Sequence, residues 1–291
     1  MLSAVLDLVL PPSCVGCGVK GASCCPRCLA ALTAAPARRM PTPAPAGLPD
    51  CWSAAPYEGV VRRTIVAYKE RGAVALAGVL AEAVARTVLI AIGHMGGRLA
   101  IGDVSERIAA GHAGGGSALG HVVGRLAVGH MSEQIGHMSE QIGHVSEQIG
   151  HARQIVHAGQ IGHVGTGFAV VPVPSTRRSG RDRGHDAVGR LAVLVARRLR
   201  ACGLGAEVWP VLGQARRVAD QAGLSCAERV SNLAGSLQVL PTAKGPPGAC
   251  ALLVDDIVTT GATLAEAARA LRSAGVEVPL AATVGATRRR S

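Results

Sequence analysis

The stretch "ALLVDDIVTTGAT", Ala251 to Thr263, sets two adjacent acids, Asp255 and Asp256, just ahead of Thr259, Thr260, Gly261, Ala262 and Thr263. Two neighbouring carboxylates can accept hydrogen bonds from both hydroxyls of a diol. The turn after them carries hydroxyl donors, and Gly261 permits close approach of a ligand to the backbone. If that turn opens a helix, its free N–H groups and the helix dipole favour an anion. The acids would repel a phosphate, so acids and turn must serve different parts of one ligand. A diol and a phosphate at this separation describe a ribose 5-phosphate. An acidic strand end followed by an N-capping Thr is the simpler alternative. It requires neither the second acid nor the order Thr-Thr-Gly-x-Thr.

A second set of reactive side chains lies near the N-terminus. Of nine cysteines, Cys14, Cys17, Cys24, Cys25 and Cys28 crowd into "SCVGCGVKGASCCPRC". The two C-x-x-C pairs Cys14/Cys17 and Cys25/Cys28 each wrap one edge of a metal ion, and four thiolates complete a tetrahedral zinc site. Four protein ligands leave no open position, so such a zinc is structural. Cys24 is a spare or an alternative to Cys25.

The elements that must carry these groups follow from the apolar pattern. "GACALLV" reads as a buried strand ending at Val254 and delivering the acids to its carboxyl end. "FAVVPVP" (Phe168 to Pro174) is another strand, and "HDAVGRLAVLVARRLRACG" a helix with Val188, Leu191, Val195 and Leu199 on one face. "AEVWPVL" and "VEVPLAATVG" add strands, and the helix Thr263 to Ala274 ends at Gly275. Upstream, "CWSAAPYEGVVRRTIVAYKERG" reads as an extended segment followed by a helix from about Gly59, and Ala73 to Ile92 as a further helix. Glu82 and Arg86 within that apolar stretch favour a core helix over a membrane span. Alternating strands and helices imply an α/β fold around an open, mostly parallel sheet, which binds ligands at the carboxyl ends of its strands.

The chain divides by composition. Residues 1–34 comprise an N-terminal helix and the zinc-binding segment with its paired cysteines, and 35–50 a Pro-rich linker. The α/β domain starts in 51–92 and resumes in 167–291. Between them, 93–166 is a Gly/His insertion built on the heptad "GHMSEQI". Met131, Ile135, Met138, Ile142, Val145 and Ile149 form a heptad seam. Each heptad also carries a Gly, costing roughly 1 kcal/mol of helix propensity. His130, His137, His144 and His151 share a helix face about 10 Å apart, too far to share one ion. The insertion therefore reads as a poorly ordered or weakly helical array without essential chemistry.

The 291 residues carry a net charge of +11 and only 2% aromatics. The charge favours polyanions or phosphorylated metabolites, while the scarcity of aromatics argues against base-stacking on nucleic acid. "MLSAVLDLVLPPSC" has no basic start and is interrupted by Asp7, so it reads as a short amphipathic helix rather than a secretory signal. A cytoplasmic protein is expected.

"LLVDDIVTTGAT" resembles the phosphoribosyl pyrophosphate (PRPP) loop of type I phosphoribosyltransferases. The paired C-x-x-C start, "YEGVVRRTIVAYKERG", "VVPVPSTRRSGRDRGHDAVGRLA" and "DQAGLSCAERVSNLAGS" occur with it in the order seen in the ComF family of competence proteins. The resemblance covers most of Leu10 to Ile92 and Phe168 to Gly285, leaving the repeats aside. It implies that Asp255 and Asp256 bind the ribose hydroxyls and that Thr259 to Thr263 bind the 5-phosphate. It also implies that Ser175, Thr176, Arg177 and Arg178 approach the pyrophosphate, with Arg217, Gln221 and Arg229 on a mobile loop. Lys69 and Arg71 are further basic candidates. The implied reaction displaces magnesium-bound pyrophosphate by a nitrogen nucleophile, and no residue must act as a general base. The family also leaves open a non-catalytic role in DNA uptake, with nucleotide, single-stranded DNA or competence proteins as partners.

Overall fold

The computed structural model describes residues 12–107, 167–174, 186–216, 218, 226–241, 245–246 and 250–287, with side chains omitted at 96–107 and 226–227. The chain forms two compact units, Met1–Ala91 with Ile161–Ser291, and Ile92–Gln160. The first unit carries the sheet. Its strands are β1 (Ala37–Arg38), β2 (Asp50–Pro56), β3 (Gly167–Pro172), β4 (Gly205–Val208), β7 (Cys250–Val258) and β8 (Leu280–Ala286), in the order β1-β2-β8-β7-β3-β4. All neighbours are parallel except β1 and β2. A separate antiparallel ribbon pairs β5 (Leu212–Gln214) with β6 (Leu237–Val239).

The described helices are α1 (Pro26–Thr33), α2 (Gly59–Glu70), α3 (Ala77–Arg107), α4 (Ala187–Ala201), α5 (Cys226–Leu233) and α6 (Ala262–Ser273), with a 3-10 turn at Val74–Leu76. β7 from Ala251 to Val254 and β8 throughout are buried on both faces, the pattern of central parallel strands. α4 buries Val188, Leu191, Val195 and Leu199, the face its spacing predicts. The Asp186 side chain caps it by accepting from Gly189 N–H at 2.9 Å. Val74–Met95 is long and apolar enough to span a membrane, but 67% of its most apolar window is buried, as in a core helix. This is the α/β architecture expected, with a mostly parallel sheet flanked by helices.

Several boundaries differ from expectation. β7 does not stop at Val254 but continues to Val258, because β8 supplies partners as far as Ala286. The acids are therefore residues of the strand rather than of the turn beyond it. "AEVWPVL" divides between two sheets, since Trp209–Val211 separates β4 from β5. α3 continues past Ile92 to Arg107 through four glycines, since an established helix gains a bond for each residue added. That distal half of α3 is the described part of the second unit. The heptads, their histidines and the first eleven residues lie outside the described residues.

The stretch 35–50 is not a free linker. Arg38 bonds Asp50 Oδ1 at 2.8 and 3.0 Å, and Arg39 donates to the carbonyls of Ser53 and Ala35, both at 2.7 Å. Met40 and Leu48 pack on the core, and Arg272 holds the Gly47 carbonyl. The segment is a strap across the end of β7.

Candidate functional site

Asp255 and Asp256 lie near the carboxyl end of β7, with Asp255 in register with Thr283 of β8. Successive residues of a strand face opposite sides of the sheet, so the two acids meet different surroundings. Asp256 is 4% exposed, and its Oδ2 forms an ion pair with Lys69 Nζ. Lys69 occupies the last turn of α2. Its neighbour Tyr68 is fully buried and donates to the Ala187 carbonyl at 2.7 Å, which fixes the end of α2 against the start of α4. Asp255 Oδ1 accepts from the Asp256 backbone N–H at 2.8 Å. Burial, and then the adjacent Asp256 carboxylate, push the Asp255 carboxyl well above the usual carboxylate range, and Lys69 offsets only part of this.

The strand gives way at Thr259 to a three-residue turn, and α6 begins at Ala262. Gly261 sits at φ 74°, where a side chain is strained. A Cβ there would also lie 2.9 Å from Pro41 Cγ and 3.0 Å from a Leu48 methyl. The turn thus depends on Gly for its backbone and for the strap above it. Thr260 Oγ1 lies 3.4 Å from Ala262 N, while Ala265 N bonds the Gly261 carbonyl at 2.9 Å as the first regular helical bond. The turn presents Thr259, Thr260 and Thr263 at the amino end of a 12-residue helix, an arrangement suited to a phosphate.

Pro172 of β3 pairs with Val254, and Val173 N bonds the Val254 carbonyl at 3.0 Å, so β3 ends beside the acids. Ser175, Thr176, Arg177, Arg178, Arg217 and Gln221 lie outside the described residues. Arg229 is described, on α5. Arg216 ties the end of α5 to the β5–β6 ribbon by donating to the carbonyls of Asn232 and Ala234 at 2.8 and 2.7 Å. Buried Glu266 of α6 accepts from Leu237 N at 3.0 Å, which anchors the ribbon in turn. Burial opposes ionisation of Glu266, but the Arg269 guanidinium together with hydrogen bonds from the Leu237 and Gly235 backbone outweighs it and holds the carboxyl below its usual range.

A cavity of about 790 Å³ opens beside the turn. Arg38, Arg39, Arg229, Thr259, Thr260 and Thr287 contribute to its wall, while the acid pair does not. The strap residues were not among those singled out by sequence. The signal available was the Arg38-Arg39 pair inside a Pro-rich run, which composition alone reads as a linker.

At the N-terminus, the Sγ atoms of Cys14, Cys17, Cys25 and Cys28 all lie within 4.8 Å of one another, and none forms a disulfide. Cys25, not Cys24, completes the set. Cys24 is turned aside onto the Cys25 carbonyl at 3.8 Å, and burial pushes its thiol up to about 11. Burial also raises Cys14, but the backbone N–H groups of Cys25, Cys17 and Gly16 outweigh it and hold the thiol at about 6. A Cβ on Gly16 would come within 2.6 Å of Cys28 Sγ, so the turn closes on the thiols only with Gly there. The quartet fits a structural metal such as zinc. Arg63 of α2 donates to the Gly16 carbonyl at 2.8 Å and joins this knuckle to the main domain.

Residues 191–291, from within α4 to the end of the chain, match the phosphoribosyl transferase domain family. Competence protein F of Haemophilus influenzae is 30% identical over 109 residues, which are 38% of this chain and 46% of that protein. Residues 191–291 are thus similar to phosphoribosyl transferase domains, and the chain is similar over 109 residues to a competence protein F. The matched stretch spans less than half the length of that relative. The family match contains the acid pair, the threonine turn and α5 but not the strap or Lys69, which the fold brings to the same strand end.

Proposed function

We propose that this protein transfers the 5-phosphoribosyl group of PRPP to a nitrogen acceptor and releases pyrophosphate. The observation that carries the reading is the end of β7: an acid pair with Asp256 buried and held by Lys69, followed at once by a threonine turn that opens α6. In this reading Asp255 and Asp256 accept from the ribose hydroxyls. Thr259, Thr260, Gly261, Ala262 and Thr263 hold the 5-phosphate through hydroxyl and backbone N–H groups. Two residues separate Ser175 to Arg178 in sequence from β3, which ends beside the acids, and this segment offers guanidinium groups to the pyrophosphate. Magnesium carried by the donor would help neutralise the charge of the leaving pyrophosphate.

The bond from the anomeric carbon to nitrogen forms as the bond to pyrophosphate oxygen breaks. The electron pair leaves with pyrophosphate, and the acceptor's proton passes to solvent. The carboxylates stabilise the positive charge that develops on the sugar, and the basic groups neutralise the leaving group. Calorimetry with magnesium-PRPP tests the assignment. Replacing both acids, Asp255→Asn with Asp256→Asn, removes two charged hydrogen bonds worth about 1.5–3 kcal/mol each. Affinity should fall at least 100-fold, and unchanged affinity would sink the site. Pyrophosphate release screened across nucleobases then identifies the acceptor.

The Cys14, Cys17, Cys25 and Cys28 thiols hold one structural zinc in this reading, and the metal-free protein should lose the knuckle's packing against α2. The name of the Haemophilus protein supports a second reading, an accessory role in DNA uptake in which the basic chain contacts single-stranded DNA. DNA affinity that falls steeply with salt and disappears on Cys14→Ser with Cys17→Ser would favour it, whereas turnover of PRPP with a nucleobase favours the first.

A further inference from the structure

We propose that the cavity beside Thr259 and Thr260 is the acceptor site, and that the acceptor it takes is an anion: a nitrogen heterocycle carrying a carboxylate. The inference rests on the donor reading above and adds the chemical class of the second substrate. Three basic residues, Arg38, Arg39 and Arg229, line the cavity, and no Asp or Glu among the described residues does. Asp50 answers Arg38 from outside that wall. The Arg229 Nε is buried and meets no hydrogen-bond acceptor among the described residues. Three basic residues on one wall with no lining carboxylate among the described residues favour an anionic ligand. A planar guanidinium matches a planar carboxylate in two parallel bonds.

The rest of the wall fits a ring. Met40, Pro41, Val258 and Ala286 give it apolar surface, and 790 Å³ falls in the usual range of about 300–1,000 Å³ for small-molecule sites. Position supports the same role. Val258, Thr259 and Thr260 belong both to the donor-binding strand end and to the cavity. Ala286 and Thr287, at the end of β8 on one side of β7, also line the cavity. β3, which leads into Ser175 to Arg178, lies on the other side.

The test is calorimetry on the full chain with matched pairs of rings: nicotinate against nicotinamide, and orotate against uracil, with and without magnesium-PRPP. At least one acid should bind ten-fold or more tightly than its uncharged twin. Arg229→Gln should weaken the acid at least ten-fold and leave the uncharged twin within about two-fold. Thr287→Glu gives the same result from an exposed position, by placing a carboxylate at the cavity rim, with circular dichroism and thermal melting confirming the fold. Equal binding of acid and neutral twin, or failure of every acid to bind, overturns the inference. Competition between inorganic pyrophosphate and the bound acid also overturns it, since the cavity would then serve the leaving group. PRPP titrated alone separates the two readings. Binding of PRPP without acid preference removes this inference only, and acid preference without PRPP binding keeps the anion cavity and removes the donor reading.

Discussion

Asp255 and Asp256 set two carboxyl groups against one ammonium, Lys69, with Asp256 almost wholly buried. The imbalance suits a site awaiting hydroxyl donors, and it has a consequence for stability. The folded-state pKa of Asp255 lies above its unfolded value of about 3.9. Its contribution to stability is therefore present below the unfolded pKa and lost as pH rises through the folded one. Asp255→Asn removes that loss. The ligand-free variant should melt about 2–4 °C higher than wild type at pH 7.5, the shift that about 1 kcal/mol produces in a domain of this size. The gap should close as pH falls toward 4 in scanning calorimetry, while PRPP binding is lost at every pH. Lys69→Met has the opposite sign, because it leaves Asp256 buried without its cation. It should cost about 2–3 kcal/mol by urea unfolding, less than a fully buried pair because the Lys69 side chain keeps 27% exposure. Most of that cost should vanish in an Asp256→Asn background.

Where the strap meets the threonine turn, two elements depend on the absence of one side chain. Gly261→Ala forces an alanine into φ 74° and drives its Cβ against Pro41 and Leu48. A left-handed alanine alone costs roughly 1–2 kcal/mol, and the displaced strap should open the cavity wall. The expected result is a lower melting temperature together with weaker binding of PRPP and of any acceptor. Wild-type affinity would show that the strap does not shape the site. The knuckle predicts one zinc per chain, released in proportion to chelator as measured by a colorimetric assay, with loss of thermal stability. The strap and the strand end also mark the limit of what local sequence conveys. The apolar run "CALLV" predicts where β7 starts, but its length to Val258 depends on the register with β8, from Asp255–Thr283 to Val258–Ala286. Prolines make 35–50 resemble a linker, and its order comes from contacts far along the chain, with Ser53, Gly261 and Arg272. The acid pair, the threonine turn and the cysteine quartet are legible because each lies within one short stretch. The Lys69–Asp256 pair is not, because its members are brought together only by the packed sheet.

At the scale of the whole chain, every described group of the proposed site lies in the unit formed by Met1–Ala91 and Ile161–Ser291: the acids, the turn, Lys69, the strap and Arg229. The Gly/His heptads fall between α3 and β3 in sequence, within Ile92–Gln160. β3 takes its register from β4 and β7, through Gly167–Gly205 and Phe168–Cys250, and these pairs belong wholly to the first unit. Its placement beside the acids is thus specified without the repeats. Loop-closure entropy grows only slowly with length, so exchanging one long connection for a shorter flexible one changes stability little. Residues 108–160 should therefore be replaceable by a Gly/Ser linker of about 20 residues that joins Arg107 to Ile161. PRPP affinity of the shortened protein should stay within about two-fold of the parent by calorimetry, and its melting temperature within a few degrees. A loss of ten-fold or more in a variant that still melts cooperatively would place part of the binding site in the repeats, and the array would then need a chemical role that its Gly and His spacing does not suggest.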